Sequence, residues 1–127
     1  MLPTTYLDTH VLVRLYLGEA DKLSARAREV IEAGDLLASP AAVLELEFLH
    51  EVGRLKPDAS KVIAALTMDV GLRTCELPFH TVARLAIAEK WSRDPFDRLI
   101  VANTKARDAV LVTRDERIRK NVSNAIW

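Results

Sequence analysis

The 127-residue chain has one cysteine, four glycines and few aromatic side chains, and its eighteen basic residues cancel its eighteen acidic ones. Each scarcity excludes something. A lone Cys75 cannot close an internal disulfide, and no ligand-like spacing surrounds it, which fits a reducing cytoplasm and a buried strand position. No apolar run approaches the roughly eighteen residues of a membrane span. The opening residues, Met1-Leu2-Pro3-Thr4-Thr5, lack a basic leader region. The expectation is an untargeted cytoplasmic protein with no membrane partner. A net charge of zero excludes coating nucleic acid by bulk electrostatics, which needs a cationic excess.

What is present is a chain 50% hydrophobic and 28% charged, too apolar and too evenly charged for disorder. At this length it buries roughly two thirds of its unfolded surface and needs neither disulfides nor structural metal to fold. No repeat, low-complexity tract or long linker divides it, so residues 1–127 are read as a single domain.

Short strand-like runs alternate with helical patterns, the signature of an α/β sheet with crossover helices. Strands are expected at Thr4 to Leu7, Leu36 to Ala38, Leu72 to Leu77 and Ala109 to Thr113. Helices are expected from Asp8 to Leu17, Asp21 to Ala33, Pro40 to Gly53, Ala59 to Val70, Thr81 to Lys90 and Asp94 to about Arg107. A last helical turn or two falls at Arg114 to Lys120. Gly18 and Gly34 mark helix ends, and Pro40 and Pro95 mark first turns. In a parallel sheet an active site lies at the carboxyl ends of the strands.

That rule singles out several acids. Asp8, Asp94, Asp97 and Asp115 fall at strand ends or helix starts, and Glu45 lies in the first half of the third helix. Capping alone can account for Asp8 and Asp115, and Asp94-Pro95-Phe96-Asp97 makes a capping box by itself. Glu45 resists that reading. At 100° per residue it shares a face with Ala41, Ala42, Phe48, Leu49 and Val52, where an unpaired carboxylate is costly. Asp97 repeats the anomaly beside Ile100, Val101 and Thr104. Inward acids from separate helices and strand ends would repel and take up protons unless a hard divalent cation sat among them. An all-carboxylate set suits Mg²⁺ or Mn²⁺.

These segments resemble the acidic motifs of PIN domains. Tyr6-Leu7-Asp8-Thr9-His10-Val11-Leu12-Val13 resembles the first, Ser39-Pro40-Ala41-Ala42-Val43-Leu44-Glu45-Leu46 the second, Asp94 through Ala102 the third, and Leu111-Val112-Thr113-Arg114-Asp115-Glu116 the fourth. The resemblance spans the whole chain and is nearest to the small VapC-type ribonuclease toxins of toxin–antitoxin pairs. It implies a three-layer α/β/α sandwich with a mostly parallel central sheet. It also implies a Mg²⁺- or Mn²⁺-dependent endoribonuclease that hydrolyses RNA with water, leaving a 5′-phosphate and a 3′-hydroxyl. Carried over, Asp8, Glu45, Asp97 and Asp115 are the metal and catalytic acids. Thr113 supports the site, and Asp94 is a cap or outer ligand. A cognate antitoxin protein and a homodimer are the implied partners.

Substrate contacts are less sharply marked. Arg93, Arg98, Arg114, Arg117, Arg119 and Lys120 gather around the last two motifs. Arg98 and Arg114 are the candidates for RNA phosphates, against a reading as a solvated surface or as ion pairs. Of the histidines, only His10 is close enough in sequence to touch the site. Two other functions remain open: a non-catalytic module that binds RNA or a partner, and a receiver or phosphatase-like domain phosphorylated on Asp8. The zero charge is also uneven. Residues 1–80 hold eight bases and twelve acids, and residues 81–127 hold ten bases and six acids. With the four site acids neutralised by metal, eighteen bases face fourteen acids, which is compatible with RNA drawn to one charged cleft.

Overall fold

The computed structural model describes residues 2–127. Its central strand is the first, β1 (Thr4–Leu7), followed by α1 (Thr9–Tyr16), a 3-10 turn at Ala20–Lys22, α2 (Ala25–Ala33) and β2 (Asp35–Ala38). Then come α3 (Pro40–Glu51), α4 (Ala59–Val70), β3 (Arg73–Thr74), α5 (Phe79–Ile87), α6 (Pro95–Ala106), β4 (Val110–Val112), α7 (Glu116–Asn121) and β5 (Ala125–Ile126). All strand pairings are parallel, in the order β3-β2-β1-β4-β5. β1 pairs on one side through Thr5 with Leu36 and on the other through Thr5 with Val110.

Thr5, Tyr6 and Leu7 are consecutive and all fully buried. Because neighbouring strand residues point to opposite faces, helices must cover the sheet on both sides. The three-layer expectation therefore holds. The core joins Leu36, Leu37 and Leu111 of the sheet to Leu12, Leu46, Val62, Leu66, Ile100 and Ile118 of the helices. No helix among the described residues is long and apolar enough to cross a membrane.

Local chemistry accounts for the element boundaries, including those that differ from expectation. The helix expected from Asp21 to Ala33 is interrupted, because Ser24 is extended and its hydroxyl accepts the amide of Ala27 at 3.0 Å, starting a new helix. The strand expected over Leu72 to Leu77 shrinks to Arg73–Thr74. It is an edge strand with only β2 as partner, and Pro78 soon turns the chain into α5, which runs Phe79–Ile87 rather than Thr81 to Lys90. Cys75 is buried but lies just past β3, its amide still donating to the Ala38 carbonyl at 2.9 Å. β5 has no counterpart in the expected elements. With two half-buried residues it is too short to show an alternating pattern.

One close approach fixes how α2 enters β2. A Cβ on Gly34 would lie 2.5 Å from Thr5 Oγ1 and 3.0 Å from the Val30 carbonyl oxygen, so only glycine lets the chain pass there.

Candidate functional site

From β1 the chain builds β2 and β3 to one side and later returns to build β4 and β5 on the other. The crevice beyond the carboxyl ends of β1 and β4 is the topological switch point where ligands bind in open α/β sheets. A cavity of about 560 Å³ opens there, and Asp8, Glu45, Asp94, Asp97 and Asp115 all line it. Thr9, His10, Arg14 and Arg54 complete its polar wall.

Asp8 follows the last residue of β1, and its amide donates to the Val112 carbonyl of β4 at 3.1 Å. The residue is 5% exposed. Its Oδ1 accepts the Thr9 amide at 2.8 Å, which makes Asp8 the N-cap of α1. Its Oδ2 accepts the Thr113 hydroxyl at 2.6 Å. Thr113 Oγ1 in turn accepts the Asp115 amide at 3.1 Å, so one hydroxyl ties the end of β1 to the start of α7. Asp115 caps α7, its Oδ1 accepting the amides of Arg117 and Ile118. Capping and convergence therefore coexist: the same orphan amides that want a cap also aim these carboxylates into the crevice.

The third motif divides its labour. Asp94 Oδ1 accepts the amides of Phe96 at 2.8 Å and Asp97 at 3.3 Å, the expected N-cap of α6. The reciprocal half of a capping box is missing, because the Asp94 amide donates to Ser92 Oγ instead. Asp97 is thus released from capping duty. Its carboxylate accepts no hydrogen bond among the described residues, while Ile100, Val101 and Thr104 along the same face are fully buried. Burial, and then the charges of Asp94, Asp8, Asp115 and Glu45, push its pKa up to about 7.

Glu45 Oε1 accepts the hydroxyl of Thr9 at 2.5 Å, and burial raises its pKa against that bond, helped by Asp8 and Asp94. The apolar stripe expected around it is placed differently. Phe48 is 48% and Val52 51% exposed, whereas Ala42 and Leu46 are fully buried, because α3 turns that side toward the core. Glu45 therefore stands at the margin of the buried face rather than at its centre.

His10 lies between the acids and the fourth motif. Its Nε2 accepts the Arg114 amide at 3.0 Å and sits 3.5 Å from Asp8 Oδ2. Accepting that amide requires Nε2 to be unprotonated. Burial holds the imidazole below its ordinary value, against the opposing pull of Asp8 and Asp115. His50, by contrast, turns Nδ1 toward the carbonyls of Leu55 and Lys56.

The arginines are mostly committed elsewhere. Arg98, expected to contact RNA phosphates, donates instead to the Ala86 and Ile87 carbonyls, both at 3.1 Å, at the end of α5. The Ala86 carbonyl also accepts the Glu89 amide at 3.1 Å, so the guanidinium adds a second donor there and one to Ile87 at the end of the helix. Arg93, Arg117 and Arg119 likewise donate to the carbonyls of Lys90, Trp91 and Arg114. Arg114 alone of these keeps its guanidinium without an acceptor among the described residues. Thr9, Arg14 and Arg54 were not singled out in the sequence. Thr9 had a signal in its position beside Asp8, but nothing marked the two arginines, one on α1 and one just after α3.

In donor chemistry this set fits a hard divalent cation: oxygen only, strongly anionic, with two carboxylates held above their ordinary pKa. In the arrangement the structure shows, no three His, Cys, Asp or Glu side chains among the described residues form a ready-made ligand set.

Comparison with known proteins agrees with the fold. Ribonuclease VapC22 of Mycobacterium tuberculosis is 30% identical over 122 residues, covering 94% of this chain and 93% of that protein. The crystal structure of VapBC2 from Rickettsia felis bound to a DNA fragment from their promoter contains a similar chain. Its TM-score is 0.68 at 16% identity, covering 97% of this chain and 96% of that one. PAE2754 from Pyrobaculum aerophilum has a TM-score of 0.59 at 20% identity, covering 99% of this chain and 90% of that one. These two structures speak to the fold. The PIN domain family matches residues 5–122, nearly the entire described sequence, and the chain belongs to that family.

Proposed function

We propose that this protein is a metal-dependent endoribonuclease, the toxic component of a VapC-type toxin–antitoxin pair. One observation carries the reading. Four acids far apart in sequence, Asp8, Glu45, Asp97 and Asp115, line one cavity at the switch point, and Asp97 there is pushed up to about 7 by burial and its neighbours. A protein gains nothing in stability from that arrangement, so it points to function. The 30% identity to a protein named a ribonuclease supports the same activity.

Asp8, Glu45, Asp97 and Asp115 would hold the ion, with Thr113 orienting Asp8 and Thr9 orienting Glu45. A bound Mg²⁺ or Mn²⁺ would neutralise these carboxylates, offset charge on the scissile phosphate and make water a better nucleophile. The reaction is hydrolysis: an oxygen of water adds to phosphorus in line with the departing oxygen, leaving a 5′-phosphate and a 3′-hydroxyl. Attack by the neighbouring 2′-hydroxyl would call for an acid–base pair. His10 is the only histidine in the cavity, and its Nε2 is occupied by the Arg114 amide. Asp94 keeps α6 capped and so fixes where Asp97 emerges. A cognate antitoxin and a second copy of the chain would use apolar surface such as Leu44 and Phe48 on α3 and Val52 at its end, which are all exposed.

The test is cleavage of labelled single-stranded RNA by partner-free protein in Mg²⁺, Mn²⁺ or chelator. Cleavage with either ion, none in chelator and a loss of about a hundredfold or more in Asp97→Asn are expected. Equal cleavage by the mutant overturns the role given to Asp97, and intact RNA under every condition favours a binding module.

A further inference from the structure

A second cavity of about 380 Å³ adjoins the acidic one, lined by His10, Arg14, Lys22, Arg114, Asp115 and Trp127. His10, Arg14 and Asp115 line both, so the two are continuous. Their chemistry is opposite. The first gathers carboxylates; the second combines three cations with two aromatic rings. Glu19 fixes two of the cations, accepting Arg14 Nη1 at 2.8 Å and Lys22 Nζ at 2.7 Å. Those two therefore keep about one positive charge between them, and Arg114 adds another that no protein acceptor occupies among the described residues. The Trp127 ring is half-buried, with its centroid 5.9 Å from that of His10 at an interplanar angle of 57°. It is held there from β5, where the Ile126 carbonyl accepts the Thr113 amide at 2.9 Å. The same residue that positions Asp8 thus anchors the strand that presents Trp127.

We infer that this second cavity seats the nucleotide next to the cleaved bond, with its base against Trp127 and its phosphate at Arg114, backed by Arg14 and Lys22. The inference rests on the ribonuclease reading of the acidic cavity. A polynucleotide whose scissile phosphate lies among the acids continues directly into a space that offers cations for the next phosphate and a π-face for its base. Stacking requires an unpaired base, so the cavity selects single-stranded RNA over duplex. Trp127 and Arg114 act here as positioning residues.

Binding is measured in chelator, where no cleavage is expected, using the full chain and a short single-stranded RNA. Trp91→Phe leaves Trp127 as the only tryptophan. In that protein, single-stranded RNA should quench the emission and duplex RNA should not. Trp127→Ala should weaken binding about tenfold, and Trp127→Phe should recover most of it. Arg114→Ala should lower the slope of log affinity against log salt by about one. Because Trp127 also packs on the core, the quenching experiment leaves position 127 intact and answers even if Trp127→Ala does not fold. Unchanged Trp127 emission on RNA binding, or equal quenching by duplex, overturns the subsite. If wild type then still cleaves RNA in Mn²⁺, the ribonuclease reading survives without it; if wild type neither binds nor cleaves RNA, both fall.

Discussion

Thr113 is a single hydroxyl with two partners: it donates to Asp8 Oδ2 and accepts the Asp115 amide, and all three groups belong to the crevice. Its proton is committed to Asp8, so the nearby His10 Nε2, at 3.3 Å, is a contact rather than a second acceptor. Thr113→Val keeps the shape and removes both bonds, leaving a buried carboxylate oxygen and a partly buried amide unsatisfied. A loss of about 1–3 kcal/mol is expected, read as a lower midpoint in urea unfolding. Asp97 behaves in the opposite sense. Its ordinary pKa of 3.8 is raised to about 7, so across that interval the folded chain holds a proton that the unfolded chain has released. The resulting stability is fully present below pH 3.8, declines as pH rises and is gone above about 7. Glu45 has the same sign. His10 has the reverse, since a lowered histidine pKa costs stability as pH falls below its ordinary 6.5. Without divalent ions, Asp97→Asn should therefore melt above wild type at about pH 8, with the gap narrowing toward about pH 5. A mutant that melts lower at both pH values would show that Asp97 is not held against its charge.

At the scale of elements, the junction between α2 and β2 is a tight packing constraint outside the crevice. Gly34→Ala would push a methyl group against the fully buried Thr5 of the central strand, and a backbone oxygen on the other side prevents retreat. We expect a loss of about 1–3 kcal/mol, visible as a lower thermal midpoint, and a larger loss for Gly34→Val. This constraint could not be read from the chain, where Gly34 marks only a helix end. What could be read was whatever depends on local chemistry. Ser39-Pro40 and Asp94-Pro95 announce α3 and α6 because an N-cap followed by proline has few other uses. β1 and β4 were visible as apolar runs because both their faces are buried. β3 was visible only as a longer strand than the two residues that pair, and β5, also two residues at a sheet edge, was not visible at all, because both owe their pairing to partners elsewhere in the chain. Asp8, Asp94 and Asp115 were legible as caps because each begins a helix, whereas Glu45 and Asp97 stood out as acids on faces otherwise apolar. The partners of Arg98 were not, because nothing local says that the carbonyls at the end of α5 lie beside α6.

For the whole molecule, a net charge of zero conceals a separation achieved by folding. Five carboxylates line one cavity, and three cations line the cavity beside it. Among its lining residues the acidic cavity has no compensating charge beyond Arg14 and Arg54, and that shortfall is what a divalent cation would supply. Binding to the folded chain alone must then stabilise it by mass action. At a hundredfold excess over Kd the gain is about 2.7 kcal/mol, roughly 10 °C in Tm for a domain of this size. The shift should be larger near pH 8 than near pH 5, because protons and cations compete for Asp97 and Glu45. It should be strongly reduced in Asp8→Asn and Asp97→Asn, and retained in Trp127→Phe, which alters only the neighbouring cavity. Scanning Tm against Mn²⁺ concentration at both pH values separates this from general salt effects, for which Na⁺ at equal ionic strength is the control. A Tm that rises equally with Na⁺, or that rises as much in Asp97→Asn as in wild type, would remove the cation from this cavity.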